Sequence, residues 1–443
     1  MMLAAAALAL PACRTGRRFD ADIIVVGAGL AGLHAAMLLQ DEGRDVLVVD
    51  AARRVGGRML TLEHEGGRTE GGGQQIGASY ARVIDTAQRL GVPLYTEARS
   101  QVGTRYHVGG DWMEADRLIV DAFPKAYRNT PPGSLLFRLL AAEDPAFTAP
   151  DDWLSADPKF DVSARDFLAA RGFSIEAIAL VDRTLNGNDV DSYSMLNLHR
   201  TWQLYRQSSG MGATRYVEGG SQRLPEAMAA SLARPVRLST RVTRITENAD
   251  GVTLEHEGGR LRAAHCLYAA PYSATGRAVL DAPLDPVQRE ALSKLPYTQI
   301  VQHHYGLNGA AASIWADTPV ERFFVDTGRD GAPTGFARGW LNGRGAVGQG
   351  QRIDTYTSAI ANIAPELARR IAPLVSVDWT VANPLAGGAY FHWAPGQAAR
   401  WADVMGRSTR RLHFAGEHLG RLHTGMEAAM ESAESAVLRL MGL

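Results

Sequence analysis

One stretch, Asp22-Ile-Ile-Val-Val-Gly27-Ala-Gly29-Leu-Ala-Gly32, restricts this chain more than any other. An apolar run stops at a glycine turn, and Leu30, Leu33, Met37 and Leu38 then recur at helical spacing until Gly43 supplies a stop. A second apolar run, Val46-Leu-Val-Val, ends in Asp50. Strand, glycine turn, helix, strand and carboxylate follow one another as a dinucleotide cradle requires. Gly27 permits the tight turn, Gly29 lets backbone approach a pyrophosphate, and Gly32 lets the helix lie close to the strand. The phosphates then meet unpaired N–H groups at a helix N-terminus, and Asp50 is placed to hold a ribose diol. Two uninterrupted apolar strands imply a parallel sheet covered on both faces.

The segments that follow narrow the nucleotide. Ala51-Ala-Arg-Arg-Val-Gly56-Gly57-Arg58-Met59 resembles the second glycine motif of the flavin amine oxidase family, which includes monoamine oxidases, polyamine oxidases and L-amino acid oxidases. Glu70-Gly-Gly-Gly73-Gln74-Gln75-Ile76-Gly77 is similar to that family's next segment, which runs along the flavin. Near the other end, Phe414-Ala-Gly416-Glu417-His418 and His423-Thr-Gly425-Met426-Glu427-Ala428-Ala429 resemble the motif that returns to the nucleotide domain. The resemblance implies FAD as cofactor, with Gly57, Arg58, Gln74 and Val242 among its binding residues and Val242 near the adenine. By the same analogy Glu417 bonds ribityl or ribose hydroxyls, and Met426 offers a backbone N–H to the flavin pyrimidine from a helix start.

A chain of 443 residues exceeds one hydrophobic core, and its 46% hydrophobic residues suffice for two. The expected class is α/β: a Rossmann-like FAD-binding domain with an interleaved α+β substrate domain. The FAD domain is expected at residues 20–89, 212–283 and 384–443, and the substrate domain at 90–211 and 284–383, after a leader and linker at 1–19. Within the first substrate segment, Phe137 to Leu140 and Ser163 to Leu168 read as short helices. Strands are expected from Val236 to Leu254, with Asp250-Gly251 as a hairpin turn. A formal net charge of -1 carries no footprint of a nucleic-acid partner. Cys13 and Cys266 have neither disulfide nor zinc spacing. Met1 to Cys13 is apolar but too short to span a bilayer, so no stable transmembrane anchor is expected. It reads as the core of an export signal, either a lipoprotein signal ending at Cys13 or a twin-arginine signal lacking its start, which implies a periplasmic protein; the other reading is a cytoplasmic leader.

Several positions are expected to carry chemistry. Gly387-Gly-Ala389-Tyr390 resembles the segment that sets an aromatic side chain beside the flavin ring, with Trp379 ahead of it as in the family. Ala389 stands where some relatives carry a flavin-linked cysteine, so FAD is expected to be non-covalent. Gly425 stands where a second cage tyrosine would be, leaving Trp393, Trp202 or Tyr205 to complete the cage. In Leu295 to Tyr305, Gln302 falls where much of the family has a lysine holding a water against the flavin, and His304 shares its face at period two. Only Lys125, Lys159 and Lys294 occur, none in register to replace it. The resemblance implies hydride transfer from a small-molecule amine to flavin N5, giving an imine that hydrolyses. Gln302 in place of lysine implies sluggish reaction with O2, so the electron acceptor is either O2 or a protein or quinone. An L-amino acid oxidase would need a cation for the substrate carboxylate, for which Arg82, Arg200 and Arg338 are candidates. A carotenoid-type desaturase or isomerase and a non-catalytic FAD-binding protein are the remaining classes.

Overall fold

The structure, a computed structural model, describes residues 19–143, 145–275 and 278–442. The apolar leader, Cys13 and the export expectation built on them lie outside the described residues. Among those described, no helix is long and apolar enough to cross a membrane.

β1 (Ala21–Val26), α1 (Leu30–Asp41) and β2 (Val46–Val49) follow in the order the first motif demands. Alternate residues of β1 face opposite sides of the sheet, and both sides are core. Ile23 and Val25 join the cluster that contains α1, whereas Ile24 and Val26 join Leu254, Cys266 and Phe414. The strand therefore carries no solvent-facing alternation. Gly43 takes φ +73 just beyond α1 and turns the chain into β2.

β1 lies between β2 and Gly259–Tyr268, parallel to both. The sheet continues through Val252–His256 and Val242–Glu247 to Val279–Asp281, while Leu412–Phe414 pairs in parallel with the end of Gly259–Tyr268. The expected hairpin forms, with the Asn248 N–H donating to the Gly251 carbonyl at 2.8 Å between antiparallel strands. Its first strand begins later than Val236, at Val242, because Ser239 at φ +52 interrupts the extended run. Helix Gly425–Met441 covers the α1 side, with Ala429, Ala433 and Ala436 in the same core as Leu33 and Met37.

A second seven-stranded sheet runs in the order Ile371–Trp379, Ile300–Leu307, Pro333–Asn342, Arg322–Thr327, Ser313–Ala316, Thr104–Val108 and Asp111–Glu114. It is antiparallel except where Ser313–Ala316 runs parallel to Thr104–Val108. Helices Leu135–Ala141 and Ala164–Ala169 form where short helices were expected. The strands at 104–108 and 111–114 had no counterpart in that expectation.

Gly32 is the tightest point of the first motif: a Cβ there would stand 1.9 Å from the Gly27 carbonyl oxygen. Gly32→Ala is expected to push α1 off β1 and destabilise the unliganded protein by about 3 kcal/mol. A denaturation midpoint equal to that of the wild type would show that the helix moves freely and that the contact is not needed.

Candidate active site

A cavity of about 660 Å³ starts at the β1–α1 turn and ends among aromatic side chains of the second sheet. At its first end the backbone does the work. Gly27 holds φ +110, which an L side chain rarely adopts, and its N–H donates to the Val49 carbonyl at 2.8 Å. Gly29 precedes α1 in extended geometry, and a Cβ built on it meets no protein atom within 4 Å. Space is thus left where a phosphate would approach the free N–H groups of the first helical turn. Gly32 lies beneath this surface and shapes the turn from behind.

Asp50 steadies the turn. One carboxylate oxygen accepts from the Ala28 N–H at 2.6 Å and the other from the Ala52 N–H at 2.7 Å, and the residue also faces the cavity. Each oxygen retains a lone pair for a hydroxyl. Val242 lies close by with Thr240 and Arg241, at the start of its strand. Arg54, which no motif singled out, pins the second glycine loop by donating to the carbonyls of Gly57 at 2.6 Å and Met59 at 2.9 Å. Its signal was its place in that loop.

Midway along the cavity, the Arg58 guanidinium donates through Nη1 to the Ala389 carbonyl at 2.8 Å and to Glu417 Oε1 at 3.0 Å. The same Glu417 oxygen accepts from the Phe391 N–H at 3.1 Å. Burial pushes the Glu417 carboxyl upward, and the Arg58 charge opposes that push. Gly57 lies against Gly29, its Cβ position 3.4 Å from the Gly29 Cα, so the two glycine loops form one surface. Met426, second residue of helix Gly425–Met441, faces the cavity from the helix start, with its sulfur 3.6 Å from the Cβ position of Gly73. Gly72 and Gly73 line the wall, whereas Gln74, one residue on, does not.

The far end is aromatic. Trp379 closes its strand with its indole N–H on the Gly71 carbonyl at 2.6 Å. Tyr390 lines the wall beside Ala389, and its carbonyl accepts from the Thr298 N–H at 2.8 Å. Gln302 pairs in register with Val377 on one side and Trp340 on the other, and all three side chains reach the cavity. The Gln302 Oε1 is buried and has no partner among the described residues. Trp340, which sequence reasoning missed, owes its place to this register.

Three expectations need correction. His304 does not reach the cavity: it is fully buried, neither ring nitrogen has a partner among the described residues, and burial pulls its pKa down to about 3, leaving a neutral imidazole. None of the aromatics expected to complete the cage lines it either. Trp393 packs against Phe391 and Trp153, Trp202 lies against Phe137, and Tyr205 is 60% exposed. Beside Gly425 the space is taken by Tyr80, whose hydroxyl lies 3.4 Å from the Cβ position of that glycine. The three arginines considered for a substrate carboxylate are all engaged: Arg82 with Glu427 and Glu434, Arg200 with the Gly420 and His423 carbonyls, and Arg338 with Asp326 and the Glu70 carbonyl.

A sequence model of the family described as flavin containing amine oxidoreductase matches residues 30–441. An L-amino-acid oxidase of Siganus canaliculatus is 26% identical, over 94% of this chain and 85% of its own length. An L-amino acid dehydrogenase of Synechocystis sp. is 24% identical, over 95% of each chain. Among solved structures, a putrescine oxidase bound to putrescine superposes with a TM-score of 0.75 at 22% identity, covering 96% of this chain and 99% of that one. That likeness establishes a shared fold.

The open space at Gly29 distinguishes binding from folding. Gly29→Val is expected to cost the unliganded protein at most about 1 kcal/mol, the scale of a poor helix cap, while the flavin-to-protein absorbance ratio falls at least tenfold. Full flavin occupancy in that variant would remove Gly29 from the cradle.

Proposed function

This chain belongs to the flavin-containing amine oxidoreductases, and from that premise we propose that it oxidises the C–N bond of a small amine, with FAD held non-covalently as electron acceptor. The observation behind this is that Tyr390, Trp379 and Trp340 meet Gln302 at one end of the cavity whose other end is the glycine turn. Bound FAD would supply a two-electron acceptor for the amine's α-hydrogen as hydride, and the imine left behind would be hydrolysed by water to a carbonyl compound and a free amine or ammonia.

Everything else falls to the chain. An aromatic, weakly polar wall penalises an ammonium and so selects the neutral amine, whose lone pair forms the C=N bond as hydride leaves and an N–H proton is released. Tyr390 sits against the substrate as an orienting wall. Ala389 offers no side-chain group for a covalent link, and its carbonyl is taken by Arg58.

Gln302 supports a finer assignment, a dehydrogenase that passes electrons to a protein or quinone acceptor. Lys159 and Lys294 are paired with Asp157 and Glu290, and no lysine lines the cavity. The Gln302 amide can hold a water but brings no positive charge to stabilise the anion that oxygen forms on its first electron. The export signal expected from the leader fits such acceptors.

Tyr390→Ala is expected to slow anaerobic flavin reduction by amine at least tenfold at unchanged flavin content. Unaltered reduction kinetics would place the amine elsewhere. In stopped-flow mixing of substrate-reduced protein with oxygenated buffer, the wild type should reoxidise slowly and Gln302→Lys at least tenfold faster. Fast wild-type reoxidation, indifferent to the substitution, would make the protein an ordinary oxidase.

A further inference from the structure

A tryptophan carries a single donor, and what that donor meets separates a ring that is only packed from one that is also held. Trp315, Trp393 and Trp401, all buried in the packed interior, leave the indole N–H without a partner among the described residues. The two tryptophans that line the cavity do the opposite. Trp379 donates to the Gly71 carbonyl and Trp340 to Asn342 Oδ1, each at 2.6 Å. Trp112 and Trp153 also end on backbone carbonyls, so Asn342 is the one side chain among the described residues that accepts from an indole.

Asn342 is buried and closes the strand Pro333–Asn342 two residues beyond Trp340, on the same face. Its amide is fixed end for end. Nδ2 donates to the Leu185 carbonyl at 2.6 Å, which only the nitrogen can do, and the indole, a donor alone, then meets the oxygen. The backbone N–H of Asn342 donates to Glu321 Oε2 at 3.1 Å. Leu185 opens a turn that is tied to the neighbouring strand of the wall as well. Asn188 in that turn donates from Nδ2 to the Tyr297 carbonyl at 3.0 Å and accepts at Oδ1 from the Gln299 N–H at 2.9 Å, just ahead of the strand that carries Gln302. Gly343 packs against the turn without clearance, since a Cβ there would stand 1.8 Å from the Asn188 carbonyl oxygen. Trp340 and Gln302, cross-strand partners in the cavity wall, are thus referred to one turn that comes from more than a hundred positions earlier in the chain.

We propose that Asn342 is a positioning residue for the reaction: by holding the Trp340 indole it fixes the wall against which the amine's α-carbon is oriented. Trp340 belongs to the same apolar cluster as Tyr390 and Leu62, so a ring released from Asn342 loosens the aromatic end as a whole and lets the amine bind in unproductive poses. Asn342 itself touches no substrate. The proposal rests on the amine-oxidation reading for its reaction and on the two amide bonds of Asn342 for its geometry.

The test uses the FAD-loaded full chain and whichever of benzylamine, hexylamine and putrescine reduces the wild-type flavin fastest without oxygen. Asn342→Leu should cut the limiting rate of flavin reduction at least tenfold while the apparent dissociation constant of the amine changes less than threefold, the signature of lost orientation. In a Trp340→Phe background, which has no indole N–H to hold, the same substitution should change that rate less than twofold, although it lowers the melting temperature in both backgrounds. Equal slowing in both backgrounds, or slowing in neither, would overturn the proposal and leave Asn342 a structural residue. A second readout is independent of turnover. In nitrogen-15 spectra of tryptophan-labelled protein, the indole resonance absent from Trp340→Phe identifies Trp340 among the eight, and its proton should exchange with solvent at least tenfold more slowly in the wild type than in Asn342→Leu. A wild-type exchange rate within threefold of that of free tryptophan would overturn the proposal even if Asn342→Leu did not fold. Failure of every amine to reduce the flavin would sink the reaction assigned above, and indole exchange would still decide whether Asn342 holds Trp340.

Discussion

Arg58 is the point on which the rest of the site depends. Its Nη1 bonds a carbonyl and a carboxylate contributed by residues 389 and 417, more than three hundred positions along the chain. Its own loop is held by Arg54 and lies against Gly29. One guanidinium thus fixes the distance between the glycine turn, the segment bearing Tyr390 and the turn that leads into helix Gly425–Met441. Glu417 is almost fully buried and Arg58 largely so, a setting in which losing one partner strands the other's charge, at about 3–5 kcal/mol. Because the Ala389 carbonyl is one of the two acceptors, the neighbouring Tyr390 is located by the same charge that locates the cofactor-side loops.

Charge on the wall of this cavity is concentrated at the first end and the middle, and Asp378, next to Trp379, accepts from the Thr380 N–H at 2.8 Å. Asp50, Arg54, Arg58 and Glu417 stand along it, whereas the aromatic end presents Gln302, Trp340, Trp379 and Tyr390 on its wall. The nearby histidines add nothing, since burial draws His304 to about 3 and His392 to about 4, so both stay neutral at ordinary pH. Such a division suits a ligand with an anionic, hydroxyl-rich half and a flat half that reacts in a dry setting.

Much of this was legible in the sequence where the information is local. The turn at Gly27, the start and stop of α1 and the Asp250-Gly251 hairpin each follow from residues within a few positions of one another. What escaped depends on register between distant strands. Trp340 and Val377 join the row of Gln302 only because three strands spaced along the chain align at those residues, and no single strand encodes its partner's offset. Trp393, Trp202 and Tyr205 show the converse failure: an aromatic ring near a site in sequence most often serves packing or surface, and here each does. Arg82, Arg200 and Arg338 were visible as charges, but the acids and carbonyls that occupy them were not.

The pairing of α1 with helix Gly425–Met441 has a consequence in time. Roughly 400 residues separate the two helices, so a ribosome working at 5–20 residues per second completes the second about 20–80 s after the first. Until then the apolar face of α1 that Ala429, Ala433 and Ala436 will cover is bare, and the wall that Met426 completes does not exist. The nucleotide half is begun first and closed last, so the nascent chain carries that apolar face uncovered while the intervening segments are made. The order in which this sheet and its helices are strung along the chain thus delays completion of the nucleotide site until helix Gly425–Met441 has been made.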